Sequence, residues 1–314
     1  MRVAVTGASG FVGGSVARFL ERHGHDVVAL GRRPAERLRS PFATYVQWDV
    51  RAGPISVRDV DGIVHCAAHV GQWGPERDYR AINVEGTRTV LETFHRAPRF
   101  VHVSTASVYA TDQPRVNVPE DARVGEPLLN PYARTKAEAE RILIASGRDV
   151  IILRPHAVYG PGDSTLLPRV LAARRLGWLP LPGDGRNRIS VTYVDNLALA
   201  VQLALESAVP SGVFNVTDGV DPTIDDMLRT MLRRYGVGDR LLHVPYWTAR
   251  SLAAINESLW RLAGISSEPS ITRYAVAHLA ESFTLDLTRA RAMLGYAPRW
   301  NFRDAPLDSE GGCS

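Results

Sequence analysis

Lysine is almost absent from this chain: of 37 lysines and arginines, 36 are arginine, and the single lysine stands at position 136. A protein that otherwise carries its positive charge as arginine has a reason to reject arginine there. Cysteine is scarce too. Cys66, inside an apolar run, and Cys313, at the tail, cannot build a disulfide framework; this excludes a disulfide-stapled secreted domain and makes a reducing, cytoplasmic location the expectation. No stretch approaches the ~18 uninterrupted apolar residues of a membrane span, and residues 2–6 open on a strand-like run with no apolar leader core. Attachment to a membrane surface stays open. Basic tracts are also missing: the net charge is +4, and arginines come in pairs such as Arg32-Arg33, Arg174-Arg175 and Arg233-Arg234, which argues against nucleic acid as a partner. His65, Cys66 and His69 are the nearest approach to a metal cluster, but neighbours on a strand face opposite ways and no second ligand group accompanies them, so no metal is expected. Neither Ser9 nor Ser107 lies in a Gly-x-Ser-x-Gly turn, which removes the usual hydrolase nucleophile.

What is present is ordinary globular composition, 45% hydrophobic and 22% charged over 314 residues, long enough for a large core or two fused units. Short apolar strands at 3–5, 26–30, 45–48, 63–65, 100–104 and 150–153 alternate with amphipathic helices at 11–22, 79–95 and 131–145. That βαβ rhythm predicts an α/β fold with a doubly wound parallel sheet. After Arg154 the texture changes to Gly-Pro punctuation, and the remainder reads as mainly helical. We therefore expect a Rossmann-type domain over 1–153 and a smaller, helix-rich substrate region over 154–314. A helix over 196–206 capped by Asp195, and a strand at 213–216, should return to the first domain. The tail from 308 onward is expected to fray.

Gly7, Ser9, Gly10, Phe11, Val12 and Gly13 lie between the first strand and the first helix, where glycines let the backbone approach a pyrophosphate at a helix N-terminus. The spacing is G-x-x-G-x-x-G; the alternative is a tight turn only. About 20 residues on, an NAD site would carry an acid for the ribose hydroxyls. Arg32 and Arg33 stand there instead and suit a 2′-phosphate, which favours NADP over NAD, unless they are plain surface arginines. Asp49 and Val50 follow the third strand and would meet the adenine end.

Tyr132 and Lys136 are four apart on the expected helix and so share a face. A phenol with an unperturbed pKa near ~10 is a poor acid/base at neutral pH, but a nearby ammonium stabilises its anion. Arginine supplies charge without the compact head that also bonds a ribose. Thr105, in Ser104-Thr105-Ala106-Ser107, stands at a strand's carboxyl end and is the candidate to hold a substrate oxygen; some of these hydroxyls will satisfy backbone groups instead. Asn83, unfavourable inside a helix, either supports a relay or packs neutrally.

These segments, read in order, resemble the extended short-chain dehydrogenases of the NAD-dependent epimerase/dehydratase superfamily: T-G-A-S-G-F-V-G from Thr6, H-C-A-A from His65, N-V-E-G-T from Asn83, S-T-A-S-V-Y from Ser104, Y-A-R-T-K from Tyr132 and R-P-H-A-V-Y-G-P-G from Arg154. The resemblance implies Thr105, Tyr132 and Lys136 as the catalytic triad with Asn83 in support, and Ala67, Ala68, Pro155 and Val158 beside the cofactor. Gly71-Gln72-Trp73-Gly74, Tyr193-Val194-Asp195-Asn196 and Asn215-Val216-Thr217-Asp218-Gly219 are similar to the bacterial 3β-hydroxysteroid dehydrogenase-like group, which includes β-keto acid reductases. Ala110 departs from the glycine usual after the Val-Tyr pair.

The expected activity is NAD(P)-dependent interconversion of a ketone and a secondary alcohol on a bulky apolar, sterol-like or β-keto acyl substrate. An apolar stripe of Trp247, Leu252, Ile255, Leu259, Trp260 and Leu262 also points that way, unless it is core packing. The runner-up is a nucleotide-sugar epimerase, and from another class a non-catalytic NAD(P) sensor. Dehydratase chemistry is disfavoured because Ala106 and Ser107, not an Asp-Glu pair, follow Thr105. The expected partners are a small molecule and, for assembly, a second copy of the chain.

Overall fold

The computed structural model describes residues 1–38, 40–128, 130–263, 265, 269 and 271–307; Cys313 and the 308–314 tail lie outside the described residues. Strands β1 (Arg2–Thr6), β2 (Asp26–Gly31), β3 (Thr44–Gln47), β4 (Gly62–His65), β5 (Arg99–Val103) and β6 (Val150–Pro155) form a parallel sheet. After β7 (Val158–Tyr159), β8 (Leu179–Pro182) and β9 (Thr192–Tyr193), strand β10 (Gly212–Val216) returns to the open edge of β6. The order β10-β6-β5-β4-β1-β2-β3 gives seven strands. It reverses direction at β1 and β4, the switch point outside whose carboxyl ends such sheets bind ligands. A last strand, β11 (Leu241–Val244), pairs with β8, and β7 pairs with β9.

The helices are α1 (Phe11–Arg22), α2 (Glu76–Tyr79), α3 (Glu85–Thr93), α4 (Pro131–Ala145), α5 (Leu166–Ala173), α6 (Val194–Glu206), α7 (Ile224–Arg234), α8 (Tyr246–Leu262), α9 (Arg273–Ala280) and α10 (Thr288–Leu294). Apolar residues on both faces of β1 to β6 explain the sheet: one core joins Val3, Val5, Val101 and Leu153 to α1 and α6, the other joins Ala4, Ile63, Phe100 and Ile152 to α3 and α4. Leu287, Ala290, Leu294 and Tyr296 join the first core as well, so the chain returns to this sheet a second time after β10. A separate core around Leu181, Val191, Met227 and Leu232 fills the C-terminal region.

Three expectations change. Asp195 does not cap α6: the cap position is Tyr193, without a side-chain cap bond, and Asp195 sits inside the first turn. The helix expected at 79–95 is broken by a π-helical turn, Arg80–Val84, between α2 and α3. The stripe on α8 faces outward, with Trp247 at 71% and Leu262 at 85% exposure, while Ala249, Ala253 and Glu257 face in. Most of that stripe is therefore not core packing. Among the described residues no helix is long and apolar enough to cross a membrane.

Candidate active site

The glycine turn is built by contact as much as by conformation. Gly7 has φ +74, and a Cβ there would stand 2.8 Å from the Ala67 nitrogen; one on Gly13 would stand 2.4 Å from the Gly7 carbonyl oxygen. Any side chain at either position would push β1, β4 and α1 apart. Gly10 is different: its Cβ would meet only the Gly7 oxygen, at 3.3 Å. It is also the N-cap of α1, with no side-chain cap and no acidic residue in the first turn. This leaves uncapped amide N–H groups at a 12-residue helix's positive end, the arrangement an anion needs. Phe11 and Val12 open the helix, and Val12 packs on the core that contains Ala8.

Gly31 brings the end of β2 against this turn, since a Cβ there would lie 2.7 Å from the Ser9 Oγ and from the Tyr45 hydroxyl. Arg32 and Arg33 follow, both exposed; their carbonyls accept bonds from Gln47 and Tyr45. Asp49 is already engaged, accepting from the Arg51 amide at 3.0 Å and from the Arg51 guanidinium at 2.6 Å, which holds its carboxyl below the ordinary range. Val50 is buried against Gly86. Ala67 and Ala68 follow β4, and the Ala67 amide donates to Thr6. Pro155 closes β6 and Val158 opens β7, packed on the same core as Ala8 and Val103.

Across the switch point, Asn130-Pro131 starts α4: the Asn130 side chain accepts from the Ala133 amide and proline takes the first helical position. Tyr132 and Lys136 are thereby one turn apart on the face toward β4 and β5. Thr105 caps the 3-10 turn Ala106–Val108, accepting from the Ser107 amide and donating to the Ser107 hydroxyl, each at 3.2 Å. Burial pushes the Tyr132 phenol above its ordinary value, the nearby Thr105 hydroxyl opposes this, and Tyr274 adds to the rise.

Lys136 is held by the end of β5. Its ammonium donates to the Val103 carbonyl at 2.8 Å and stands 3.0 Å from His102 Nε2. Burial brings it down to about 8, opposed by Glu140 and Cys66. His65 is bonded to Thr6 and Thr87, and burial, then Lys136, brings it down to about 3, so it is neutral at pH 7. Burial pushes the Cys66 thiol up to about 12.

Asn83 lies in the π-turn with its amide fully engaged: Oδ1 accepts from the His69 amide at 2.7 Å, and Nδ2 donates to the His69 carbonyl and to Thr135 Oγ1 at 2.9 Å. It ties the exit of β4 to the residue before Lys136. Ser104 belongs elsewhere, donating to Glu140, which pairs with Arg154.

Several residues at the site carry no local signal in the sequence. Burial pushes the phenol of Tyr274, on α9, above its ordinary value, and the nearby Ser107 hydroxyl opposes this. α9 is held over the cleft by Thr272, which caps it and donates to Gln72 at 3.0 Å, and by Glu257 of α8, which accepts from the Arg273 amide at 2.7 Å. Tyr274 stacks on His278, and His278 meets His156 with ring centroids 4.8 Å apart.

The profile of the NAD dependent epimerase/dehydratase family matches residues 3–217, from β1 to just beyond β10. The chain belongs to this family. It is 33% identical over 314 residues, with 95% of each chain covered, to a protein of Stenotrophomonas maltophilia (strain K279a) named 2-alkyl-3-oxoalkanoate reductase. It is 28% identical to the 3-beta-hydroxysteroid dehydrogenase of Mycolicibacterium neoaurum, covering 97% of this chain and 89% of that one. In fold it is similar to the UDP-glucuronic acid 4-epimerase of Bacillus cereus solved in complex with NAD, with a TM-score of 0.72 at 24% identity over 97% of this chain and 96% of that one. The likeness to reductases and dehydrogenases agrees with the resemblance carried by the sequence motifs.

Proposed function

We propose that the protein is an NAD(P)-dependent oxidoreductase that interconverts a ketone and a secondary alcohol on a bulky, largely apolar substrate. The observation that carries this reading is the placement at the carboxyl end of β5 of Thr105, which caps the turn that follows the strand, and of Tyr132, one helical turn before the buried Lys136 that bonds the Val103 carbonyl. Two hydroxyls at that edge can both donate to one carbonyl oxygen. With its pKa raised by burial, the phenol is protonated at neutral pH and able to give its proton to that oxygen as reduction proceeds. In the reverse direction the same group takes the alcohol proton.

The cradle fits a dinucleotide: Gly7 and Gly13 admit no Cβ, and the uncapped N-terminus of α1 faces the open side of Gly10. A nicotinamide cofactor held there supplies or accepts the hydride. Gly7, Ser9, Gly10, Phe11, Val12 and Gly13 would hold its pyrophosphate, and Ala67, Ala68, Pro155 and Val158 its nicotinamide half. Arg32 and Arg33 would take the 2′-phosphate, making NADP the preferred form; Asp49, occupied by Arg51, keeps only spare acceptor capacity for the adenine end. Lys136 would anchor the ribose, and Asn83 is a positioning residue for α4. We further assign residues 1–153, with β10, α6 and α10, to the dinucleotide unit and the remaining C-terminal part to substrate.

The test is to incubate the protein with NADPH or NADH and long-chain or polycyclic ketones, in parallel with nucleotide sugars, and to follow cofactor absorbance and product stereochemistry. Net cofactor oxidation with an apolar ketone, lost in Tyr132→Phe, is expected. Inversion of a sugar without net cofactor turnover, or cofactor binding without any turnover, would replace this reading with an epimerase or a sensor.

A further inference from the structure

Alternation along the two-stranded sheet of β8 and β11 decides which of its side chains meet water. Leu179 and Leu181 on β8 and Leu241 on β11 are buried in the C-terminal core. The residues between them therefore face out: Trp178 and Pro180 along one strand, Arg240 and Leu242 along the other, with Leu242 opposite Pro180 in the register. A sheet face open to water is ordinarily polar. Here all four outward residues are exposed and only Arg240 is polar, its guanidinium carbon lying 5.7 Å from the centre of the Trp178 ring.

The turn that leads into β8 extends this apolar face. Arg175 and Trp178 exchange backbone hydrogen bonds of 2.8 and 2.9 Å around the two-residue turn Leu176-Gly177, with φ +50 at Leu176 and +84 at Gly177. Asn-Gly suits such a turn, whereas a leucine in the left-handed region is strained. Leu176 is also fully exposed, so the strain is not offset by burial. The turn is braced from below: the Arg174 guanidinium donates to the Gly177 carbonyl at 3.2 Å and to the Gly238 carbonyl at 3.0 Å, and Arg175 donates to the Ala172 carbonyl of α5 at 2.6 Å. Folding alone gives no reason to display a leucine on a braced, strained tip.

The base of the tip is cationic. From Ser164 to Gly183 the chain has three arginines, Arg169, Arg174 and Arg175, and no acid. Arg240 adds to them from β11, and the acid next to it, Asp239, is paired with Arg233 at 2.5 Å.

We propose that this tip docks the protein on an anionic lipid surface, with Leu176 entering the acyl layer, Trp178 and Leu242 at headgroup depth, and Arg175 and Arg240 against lipid phosphates. An apolar point with arginines at its base matches both layers of such a surface, and the amphipathic ring of a tryptophan is at home where they meet. A protein partner would need a pocket for the leucine and about 20 to 30 residues on each side for a stable contact, and the tip offers far fewer. Fluid lipid makes room for a lone protruding side chain. β8 runs from the tip to Gly183, where an added Cβ would stand 3.8 Å from Ala280 at the end of α9, so the docked face belongs to the part of the chain that holds α9 over the cleft. The docking does not depend on which reaction the cleft performs.

Flotation of the full chain with vesicles of phosphatidylcholine, with and without phosphatidylglycerol, tests it. The wild type is expected to float with the mixed vesicles and less with phosphatidylcholine alone. Leu176→Asn, which suits the turn and should resist denaturant at least as well as the wild type, is expected to weaken binding roughly tenfold or more, while Leu176→Phe, which keeps the tip apolar, retains it. Arg175→Gln with Arg240→Gln should remove the preference for phosphatidylglycerol. Denaturant unfolding identifies folded variants. A wild type that stays unbound with mixed vesicles, a folded Leu176→Asn that binds as the wild type does, or a lipid preference unchanged in the double variant overturns the anchor. So does a lipid-free wild type that sediments as a dimer and is dissociated by Leu176→Asn, because the tip then belongs to an interface between two copies.

Discussion

The Lys136 ammonium stands 3.0 Å from His102 Nε2 and donates to the Val103 carbonyl at 2.8 Å, buried between α4 and the centre of the sheet. Both acceptors are set at the length of a lysine. A guanidinium is longer and planar, carries its donors in a fixed fork, and cannot place one compact head between an imidazole and a strand carbonyl. The only lysine in the chain is thus held by geometry that excludes the residue used for its other 36 basic positions.

Lys136→Arg should therefore keep the fold but lower kcat by roughly a hundredfold or more, the scale on which a misplaced acid/base group acts. Steady-state kinetics alongside circular dichroism checks this. A folded variant with near-normal turnover would mean that the contacts to His102 and Val103 are incidental to the chemistry.

The same burial makes a prediction about stability. Lys136 titrates at about 8 in the folded chain against 10.5 ordinarily, with Glu140 and Cys66 as the opposing influences. Because the folded pKa is the lower one, the unfolded chain binds more protons between these two values, and stability rises with pH across that window. Below pH 8 both states are protonated and the full cost of the buried charge is present. Relative to Lys136→Met, which does not titrate, the wild type should gain about 1 to 3 kcal/mol between pH 7 and pH 9.5. Urea unfolding of both proteins at the two pH values measures the difference, and a gap independent of pH would contradict it.

Much of this site was legible because its parts are local. The glycine turn, the Tyr132-Lys136 spacing and the helix at 131–145 follow from residues a few positions apart, and α4 has the expected bounds. Asp195 misled because a cap is defined by where the backbone leaves the helix, and α6 begins at Val194, one residue before it. The α8 stripe misled for another reason: periodicity reveals an apolar face but not what covers it, and here Ala253 and Glu257, not the large side chains, face inward. Tyr274 was invisible because it has no local pattern; α9 brings it near Ser107 only in the folded chain.

Arg32 and Arg33 are exposed at the end of β2 beside the Ser9 turn, where, among the described residues, their carbonyls and not their side chains form hydrogen bonds. If they hold a 2′-phosphate, NADPH should bind more tightly than NADH, and Arg32→Ala/Arg33→Ala should narrow the ratio by roughly tenfold or more while leaving NADH affinity nearly as it was. Fluorescence titration with both cofactors decides it. Equal affinities in the wild type would mark these as ordinary surface arginines.

The helix that carries Tyr132 and Lys136 is fastened to the sheet by a buried ion pair. Glu140 on α4 accepts from Arg154 of β6 at 2.6 and 3.0 Å, Ser104 donates to the same carboxylate, and the guanidinium carbon lies 4.7 Å from the Tyr109 ring centre. The Tyr109 hydroxyl in turn donates to Asn215 on β10 at 2.7 Å, so the network spans α4, β6 and the strand that returns to the sheet. Removing one member of such a pair leaves the other charge buried without compensation, at a cost of about 3 to 5 kcal/mol. Glu140→Gln should thus lower unfolding free energy by that amount. Replacing both partners with apolar residues, Glu140→Leu with Arg154→Met, should recover much of the loss, because no charge is then stranded. Activity discriminates further: if the pair serves to set the register of α4, the double variant regains stability without regaining full kcat, since Ser104 has lost its acceptor and the helix its fixed contact with β6. Denaturant unfolding and steady-state kinetics on the same three proteins separate the two effects. A Glu140→Gln protein as stable as the wild type would show that Arg154 finds another acceptor, and would remove the pair from any account of how Tyr132 and Lys136 are held.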